Sequence, residues 1–118
     1  MCGLAGVWTT GGDQELALRE QVCRMAGTLA HRGPDDSGHW IDPQAGLAFG
    51  FRRLAIVDLS EGGHQPMMSA DGRYVIVFNG EIYNFRELRA ELEALGFVFR
   101  SRSDTEVILG AASAWGWS

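Results

Sequence analysis

The chain contains no lysine, so all ten of its basic residues are arginines. Schiff-base chemistry, a lysine general base and a lysine-bearing phosphate loop are therefore excluded within these 118 residues. Acidic residues outnumber the arginines by 15 to 10, and the formal net charge is -5. Since phosphate binding relies on clustered cationic side chains, this balance argues against a nucleic-acid partner and against an anionic membrane.

Cysteine is also scarce, with only Cys2 and Cys23 present and no C-x-x-C pair. The three histidines are scattered, so neither a disulfide framework nor a metal site is predicted, and a reducing compartment fits best. No run of 18 apolar residues occurs, and the first residues lack the basic segment of a secretory signal. We therefore expect a cytoplasmic, soluble protein with no membrane partner.

Glycine, in contrast, is abundant: the 16 glycines are about twice the average share of roughly 7%, which predicts many turns or close backbone approaches. A hydrophobic content of 46% suits one domain or part of one.

The last residues, Ala114 to Ser118, lack a helix C-cap, and Trp115 and Trp117 would have nothing to pack against. We therefore expect the polypeptide to continue past Ser118.

The spacing of apolar residues predicts an early strand followed by a helix. Gly3 to Trp8 is apolar and compatible with a β-strand. Gln14 to Ala30 has the pattern of an amphipathic helix. Its apolar stripe consists of Leu18, Val22, Met25 and Leu29. The polar segment from His31 to Gly38 contains Gly-Pro and is predicted to be a loop.

Further elements follow along the chain. Short strands are predicted at His39 to Ile41, Gly46 to Phe51, Leu54 to Val57 and, with the strongest signal, Arg73 to Phe78. A turn is predicted at Ser60 to Gly63. The order of strands and helices indicates an α+β fold, with a mainly antiparallel sheet covered by helices.

Two more helices are predicted in the second half of the chain. One runs from Phe85 to Leu95, with Asn84 as its N-cap and Gly96 after its end. The other begins at Ser103 or Asp104, where Ser103 and Glu106 have the spacing of a capping box.

Cys2 is the first candidate for chemistry. Removal of Met1 would leave a residue that carries both a thiol and a free α-amine. Because the reference pKa of an α-amine is about 7.7–8.0, this amine could act as the general base for its own thiol, without a histidine. The plainer interpretation is that Cys2 is only a small residue at the start of a strand.

Two other sites offer hydrogen-bond donors. Asn79-Gly80-Glu81 follows an apolar strand, so an amide side chain and a glycine N–H could form an oxyanion hole, although a plain hairpin turn also fits. Strand alternation sends Arg52 and Arg53 to opposite faces, so one is expected to point inward toward a carboxylate, whether structural or from a ligand.

Other polar residues have simpler interpretations. Taken alone, Asp104 at a helix start is a cap. His64 and the Asp35-Asp36 pair are loop residues, to which no catalytic role is assigned.

Six sequence blocks, in order, carry a family resemblance. They are Met1-Cys2-Gly3-Leu4-Ala5-Gly6, His31-Arg32-Gly33-Pro34-Asp35-Asp36-Ser37-Gly38, Arg53-Leu54-Ala55-Ile56-Val57-Asp58-Leu59, Gly63-His64-Gln65-Pro66-Met67, Asn79-Gly80-Glu81-Ile82-Tyr83-Asn84 and Ser103-Asp104-Thr105-Glu106. The chain resembles the N-terminal glutaminase domain of glutamine-hydrolysing asparagine synthetases, which are class II amidotransferases with an N-terminal nucleophile. The match extends from Met1 to about Gly110.

The resemblance implies a role for each matching residue. Cys2 would attack the carboxamide of glutamine, and Asn79 with the N–H of Gly80 would stabilise the oxyanion. For substrate binding, Arg53 would hold the α-carboxylate of glutamine. Glu81 and Asp104 would accept hydrogen bonds from its α-ammonium group, and Arg32 is a secondary site near Cys2.

The resemblance also implies a larger protein. The family fold is an αββα sandwich, of which residues 1–118 would form the N-terminal part of an amidotransferase domain. A C-terminal synthetase domain, with ATP and Mg²⁺, would use the ammonia to convert aspartate to asparagine, whereas this chain is expected to hold no cofactor and no metal. Alone, the chain is expected to be weakly active or inactive, because a missing second sheet would leave one face exposed.

Several alternatives stay open. The ammonia acceptor could be another carboxylate, as in asparagine-synthetase-like amidotransferases, because the acceptor pocket is not expected in this chain. A non-catalytic binding module with the same fold is a further hypothesis, and the sequence feature expected of such a module is the loss of Cys2. Assembly as a homodimer is also left open.

Overall fold

The computed structural model describes residues 2–10, 15–54 and 63–116. Within these described ranges, eight elements follow one another: β1 (Gly3–Trp8), α1 (Glu15–Gly27), β2 (Asp36–Asp42), β3 (Leu47–Arg53), β4 (Met67–Met68), β5 (Val75–Ile76), α2 (Phe85–Ala94) and α3 (Asp104–Trp115). Helices and antiparallel strands are mixed, so the α+β prediction is confirmed, and the arrangement is compatible with the first part of the predicted sandwich.

A three-stranded sheet of order β1-β3-β2 forms the first half. Both pairings are antiparallel, and β3 is central, with Gly3 opposite Arg52 on one side and Asp36 opposite Arg53 on the other. The predicted strand over Gly3–Trp8 is confirmed. Its alternation buries Gly3 and Ala5 and exposes Leu4 and Gly6, as expected for a strand with one covered face.

Helix α1 covers that face of the sheet. Leu18 and Val22 are fully buried and form a core cluster with Ala48 of β3. The predicted stripe is partly wrong, because its next member is Ala26 rather than Met25, which is 38% exposed. Leu29 lies beyond the helix end and packs on Gly3, where an added Cβ would meet the Leu29 Cβ at 2.9 Å.

The boundaries of three predicted strands differ from the structure. Strand β2 begins at Asp36, inside the predicted loop, because polar residues are tolerated where an edge strand pairs with β3. Strand β3 continues to Arg53 instead of ending at Phe51. Leu54 belongs to no strand, and the rest of that predicted strand, like residues 60–62 of the predicted turn, lies outside the described residues.

The strongest strand signal, Arg73 to Phe78, yields only the two-residue strand β5. Its antiparallel partner β4 is equally short, with Met67 opposite Ile76. Among the described residues, β4 offers no partner beyond Ile76, so the β4–β5 pairing ends there. Phe78 instead bonds to the side chain of Gln65.

Helices α2 and α3 pack on each other through Leu92, which is fully buried. The predicted α2 is confirmed within one residue, and Gly96 with a φ of 95° follows its end. The predicted Asn84 cap is wrong, because that side chain makes no capping hydrogen bond.

Helix α3 begins at Asp104 and has its predicted cap, since Ser103 Oγ accepts a hydrogen bond from the Thr105 N–H at 3.1 Å. The capping box is incomplete. The Ser103 N–H donates to Ser101 Oγ, while Glu106 binds the main chain of Arg100 and Ser101. Trp115 is 48% exposed, as predicted, and Trp117 lies outside the described residues. None of the helices in the described part of the chain has the length and apolar character needed to cross a membrane.

Candidate active site

A cavity of about 420 Å³ opens where the ends of the elements converge: Cys2 before β1, the end of β3, the segment after β5 and the start of α3. All but one of the predicted site residues line it. They are Cys2, Arg53, Asn79, Gly80, Glu81 and Asp104. The seventh, Arg32, lies beside the cavity and contacts Cys2. The fold therefore brings together residues that are up to about a hundred positions apart in the chain.

Cys2 is a half-buried free thiol that faces the residue after β3. Because Gly3 pairs with Arg52 in antiparallel strands, Cys2, which precedes Gly3, lies close to Leu54, which follows β3. The Leu54 N–H donates a hydrogen bond to Cys2 Sγ at 3.2 Å. The Cys2 thiol in turn donates one to the Leu54 main-chain oxygen at 3.5 Å. These contacts fix the orientation of the sulfur at the cavity wall.

The main-chain oxygen of Cys2 is a meeting point of three segments. It accepts a hydrogen bond from Asn79 Nδ2 at 2.9 Å and another from Arg32 Nε at 3.3 Å. An Asn amide nitrogen carries two hydrogens, so the bond to Cys2 uses one of its two donors. Asn79 is thus fixed beside the residue that carries the thiol.

Arg53 is the inward member of the arginine pair, as strand alternation predicts. Its side chain is 8% exposed, whereas half-buried Arg52 donates from Nε to the Gly33 oxygen at 3.0 Å. Gly63 lies against the Arg53 guanidinium, and a Cβ at this position would overlap it. A Cβ at Gly33 would likewise overlap the main chain between Arg52 and Arg53. Two glycines therefore permit the position of Arg53.

Two carboxylates complete the charged lining. Asp104 is buried at the first residue of α3, and its Oδ2 accepts a hydrogen bond from the Ile82 N–H at 3.0 Å. Glu81 is exposed and lies in the segment that Asp104 holds. An arginine and two acidic side chains in one lining give the cavity groups of both charge signs, which suits a zwitterionic ligand.

Sequence reasoning assigned no binding or catalytic role to the other lining residues. They are Phe51, Leu54, Gly63, Gln65, Phe78, Tyr83, Ser103 and Thr105. Gln65 is the most heavily bonded among them and occurred in the sequence only as part of a family block, which carries no signal of its contacts. The described residues contain no group of three or more His, Cys, Asp or Glu side chains placed to hold a metal ion.

His64 and Asp36 form a contact that the sequence did not indicate. His64 Nδ1 lies 2.6 Å from Asp36 Oδ2, which links β2 to the segment before β4. Neither residue is among those that line the cavity.

A comparison with protein families decides the relationship. The profile of the glutamine amidotransferase domain matches residues 1–118. The chain belongs to this family. In the amidotransferase chain, all six sequence blocks that carry the resemblance fall within the matched range.

The amidotransferase chain is similar to several curated proteins. It is 48% identical over 110 residues to glutamine-hydrolyzing asparagine synthetase 1 of Bacillus subtilis strain 168, covering 92% of the chain and 17% of that relative. It is 44% identical over 117 residues to synthetase 3 of the same strain, covering 98% of the chain and 18% of the relative. A probable asparagine synthetase of Schizosaccharomyces pombe is 43% identical over 109 residues, with 92% and 19% covered. The chain thus spans less than a fifth of the length of these relatives.

Proposed function

We propose that this protein hydrolyses free glutamine to glutamate and ammonia, with Cys2 as the nucleophile. One observation carries the proposal: Cys2 lines the same cavity as Arg53, Glu81 and Asp104. A cation and two carboxylates near one thiol match the α-carboxylate and α-ammonium groups of a free amino acid. The family and the names of the relatives support glutamine as that amino acid.

Removal of Met1, before any reaction, frees the α-amine of Cys2. In the first half of the reaction, this amine takes the thiol proton as the sulfur attacks the carboxamide carbon of glutamine. The carbonyl electron pair moves to oxygen, where the second hydrogen of Asn79 Nδ2 and the Gly80 N–H stabilise it. When the C–N bond breaks, the Cys2 ammonium returns its proton to the leaving nitrogen. Ammonia departs, and a γ-glutamyl thioester remains.

In the second half, water attacks the thioester carbon, and the Cys2 amine accepts a proton from it. The C–S bond then breaks, and the proton passes to sulfur. Glutamate leaves, and the free thiol and amine of Cys2 are restored. Arg53 holds the α-carboxylate through both steps, while Glu81 and Asp104 hold the α-ammonium group. Arg32, which donates to the Cys2 oxygen, orients the nucleophile.

We further propose that residues 1–118 are the N-terminal amidotransferase part of a longer cytoplasmic protein, whose C-terminal synthetase domain uses the ammonia to convert aspartate to asparagine. The names of the relatives and the small share of their length that the chain covers support this. Both cysteines are free thiols, which fits a reducing compartment.

ATP and Mg²⁺ are assigned to the proposed synthetase domain. This chain does not fit an ATP site, because it has no lysine and its Glu61-Gly62-Gly63-His64 segment lacks a Ser-Gly-Gly-x-Asp pattern. No step of glutamine hydrolysis passes through either group.

The nucleophile is tested by exposing the natural full-length protein to a glutamine-like diazo-ketone and measuring its mass. We expect one covalent adduct, on a chain that begins at Cys2, and loss of the adduct in Cys2→Ala. Cys23→Ala is the matched control, because Cys23 is an exposed thiol on α1 and its removal should leave labelling unchanged. An adduct that persists in Cys2→Ala would contradict the assignment.

The acceptor is tested separately, by supplying glutamine, ATP, Mg²⁺ and aspartate to the full-length protein. Asparagine should form in proportion to the glutamate released. Glutamine hydrolysis without asparagine would support another carboxylate acceptor. Absence of hydrolysis and of labelling would support the binding module.

A further inference from the structure

Gln65 is buried, 6% exposed, and lies in the wall of the cavity. Its carboxamide makes both main-chain hydrogen bonds of Phe78: Oε1 accepts from the Phe78 N–H at 2.6 Å, and Nε2 donates to the Phe78 oxygen at 3.2 Å. A neighbouring strand would satisfy a residue in the same way. Within the described residues, the β4–β5 pairing ends at Ile76, and the side chain of Gln65 supplies the main-chain hydrogen bonds of Phe78 beyond it.

Phe78 immediately precedes the two proposed oxyanion donors, Asn79 and Gly80. Both donors are exposed and belong to no helix or strand, so no ladder of their own sets their position. The segment that carries them is held at one end by Gln65 on Phe78 and at the other by Asp104 on Ile82. Bonding both polar atoms of Phe78 sets the direction in which the chain enters Asn79.

A third hydrogen bond connects the same side chain to α3. Nε2 of Gln65 also donates to Thr105 Oγ1 at 3.2 Å, and Thr105 is 2% exposed, next to Asp104. Glutamine is suited to this position, because one side-chain acceptor and two donors are needed at once. Glutamate keeps the acceptor and loses both donors, and methionine of similar length loses all three bonds.

We infer that Gln65 is a positioning residue for the oxyanion donors Asn79 and Gly80. The inference rests on the proposed glutamine hydrolysis. Because these donors act on charge that develops only in the transition state, their displacement should lower kcat and leave the glutamine KM nearly unchanged. A merely structural Gln65 would show no such selectivity.

The test uses Gln65→Glu and Gln65→Met in the full-length protein. We expect kcat for glutamine hydrolysis to fall by about 10- to 100-fold, with KM within about threefold. The γ-aldehyde analogue of glutamine forms a tetrahedral adduct with a cysteine and so reports on the oxyanion donors, whereas glutamate reports on the other contacts. Affinity for the aldehyde should fall by the same factor as kcat, and affinity for glutamate should not.

Gln21→Glu is the matched control, because Gln21 is exposed on α1 and takes part in none of the contacts described above. It should change none of these quantities. Thr105→Val provides a second test that leaves both Phe78 bonds intact. We expect it to lower kcat and aldehyde affinity together by about 3- to 10-fold, since only one neutral hydrogen bond is lost. If the Gln65 variants do not fold, Thr105→Val decides.

Unchanged aldehyde affinity in variants that fold, or a rise in KM without a fall in kcat, would overturn the positioning role while glutamine hydrolysis stands. Failure of the proposed function has a different signature. The wild-type protein would then neither hydrolyse glutamine nor bind the aldehyde through Cys2.

Discussion

Two regions of the molecule are held together by different hydrogen bonds. The ladder region, formed by β1, β2, β3 and α1, relies on main-chain pairing across strands of six or seven residues and on helix packing over one face. The side-chain-bonded region, residues 63–83 and 99–106, has two-residue strands and relies on polar side chains that bind the main chain. These side chains include Gln65, Ser69, Asp71, Asp104 and Glu106.

The difference has a physical consequence. A ladder bond joins two main-chain groups, so replacing an exposed side chain leaves the bond in place. A side-chain bond disappears with the side chain, and a buried donor left behind costs about 1–3 kcal/mol. The proposed catalytic groups lie at the border, since Arg53 ends β3 while Asn79 and Gly80 belong to the side-chain-bonded region. We therefore expect single substitutions to act most strongly in that region.

The largest expected effect on stability is that of Glu106→Ala. Glu106 is 3% exposed and accepts hydrogen bonds from the Arg100 N–H at 2.8 Å, the Ser101 N–H at 2.8 Å and Ser101 Oγ at 2.6 Å. Its loss should lower the free energy of unfolding by about 3 kcal/mol, measured by denaturant unfolding. Hydrogen exchange at the Arg100 and Ser101 amides should accelerate.

Two controls sharpen the comparison. Glu91→Ala removes an exposed glutamate from α2, and His39→Ala removes an exposed side chain from β2. Each should change the free energy of unfolding by less than about 0.5 kcal/mol. An equal loss in His39→Ala and Glu106→Ala would abolish the distinction between the two regions.

The next effect concerns the border of the two regions. Arg53→Ala should raise the glutamine KM by about 30- to 100-fold, because a charge-assisted contact with the substrate carboxylate is worth about 2–3 kcal/mol. Residual kcat should fall much less. Arg52→Ala is the neighbouring control, whose bond to Gly33 lies outside the cavity lining, and its KM should stay within about threefold. An unchanged KM in Arg53→Ala would make Arg53 structural.

The smallest effect is expected at Asp71, in the turn between β4 and β5. The hydrogen bond from Ser69 Oγ, followed by that from the Arg73 N–H, lowers the pKa of the Asp71 carboxyl below its ordinary value. A lowered folded-state pKa stabilises the fold above the unfolded pKa, and this stabilisation is lost as pH falls through the folded pKa. NMR titration should place the Asp71 midpoint below the ordinary value of an aspartate, and Ser69→Ala should raise it. If the titration midpoint of Asp71 does not rise in Ser69→Ala, the Ser69 hydroxyl is not the cause of its lowered pKa.

Sequence reasoning predicted the elements with a local pattern well and the strands of the side-chain-bonded region poorly. The strand over Gly3–Trp8 and the helix at α2 follow from local periodicity, and both were predicted within one residue. In the side-chain-bonded region, the strongest strand signal produced only Val75–Ile76, because strand length depends on the partner and β4 offers two residues. Asn84 likewise has the right residue type for a cap and makes no capping bond.

The candidate site shows the same limit. Residue types and their order, together with the family blocks, were sufficient to choose the seven site residues, six of which line one cavity. Sequence reasoning did not predict Gln65 as a site residue, because its contacts are with Phe78 and Thr105, which are 13 and 40 positions away in the chain. Nothing local distinguishes it from exposed Gln44.

By itself, the sequence determined the family, the chemistry available at Cys2 and the helices and strands whose periodicity is local. Only the tertiary structure decided where β5 stops and which side chains hold the segment that carries Asn79 and Gly80. The physical reason is that periodicity and capping act over a few residues. Partner length, burial and hydrogen bonding between distant segments exist only once the chain has folded.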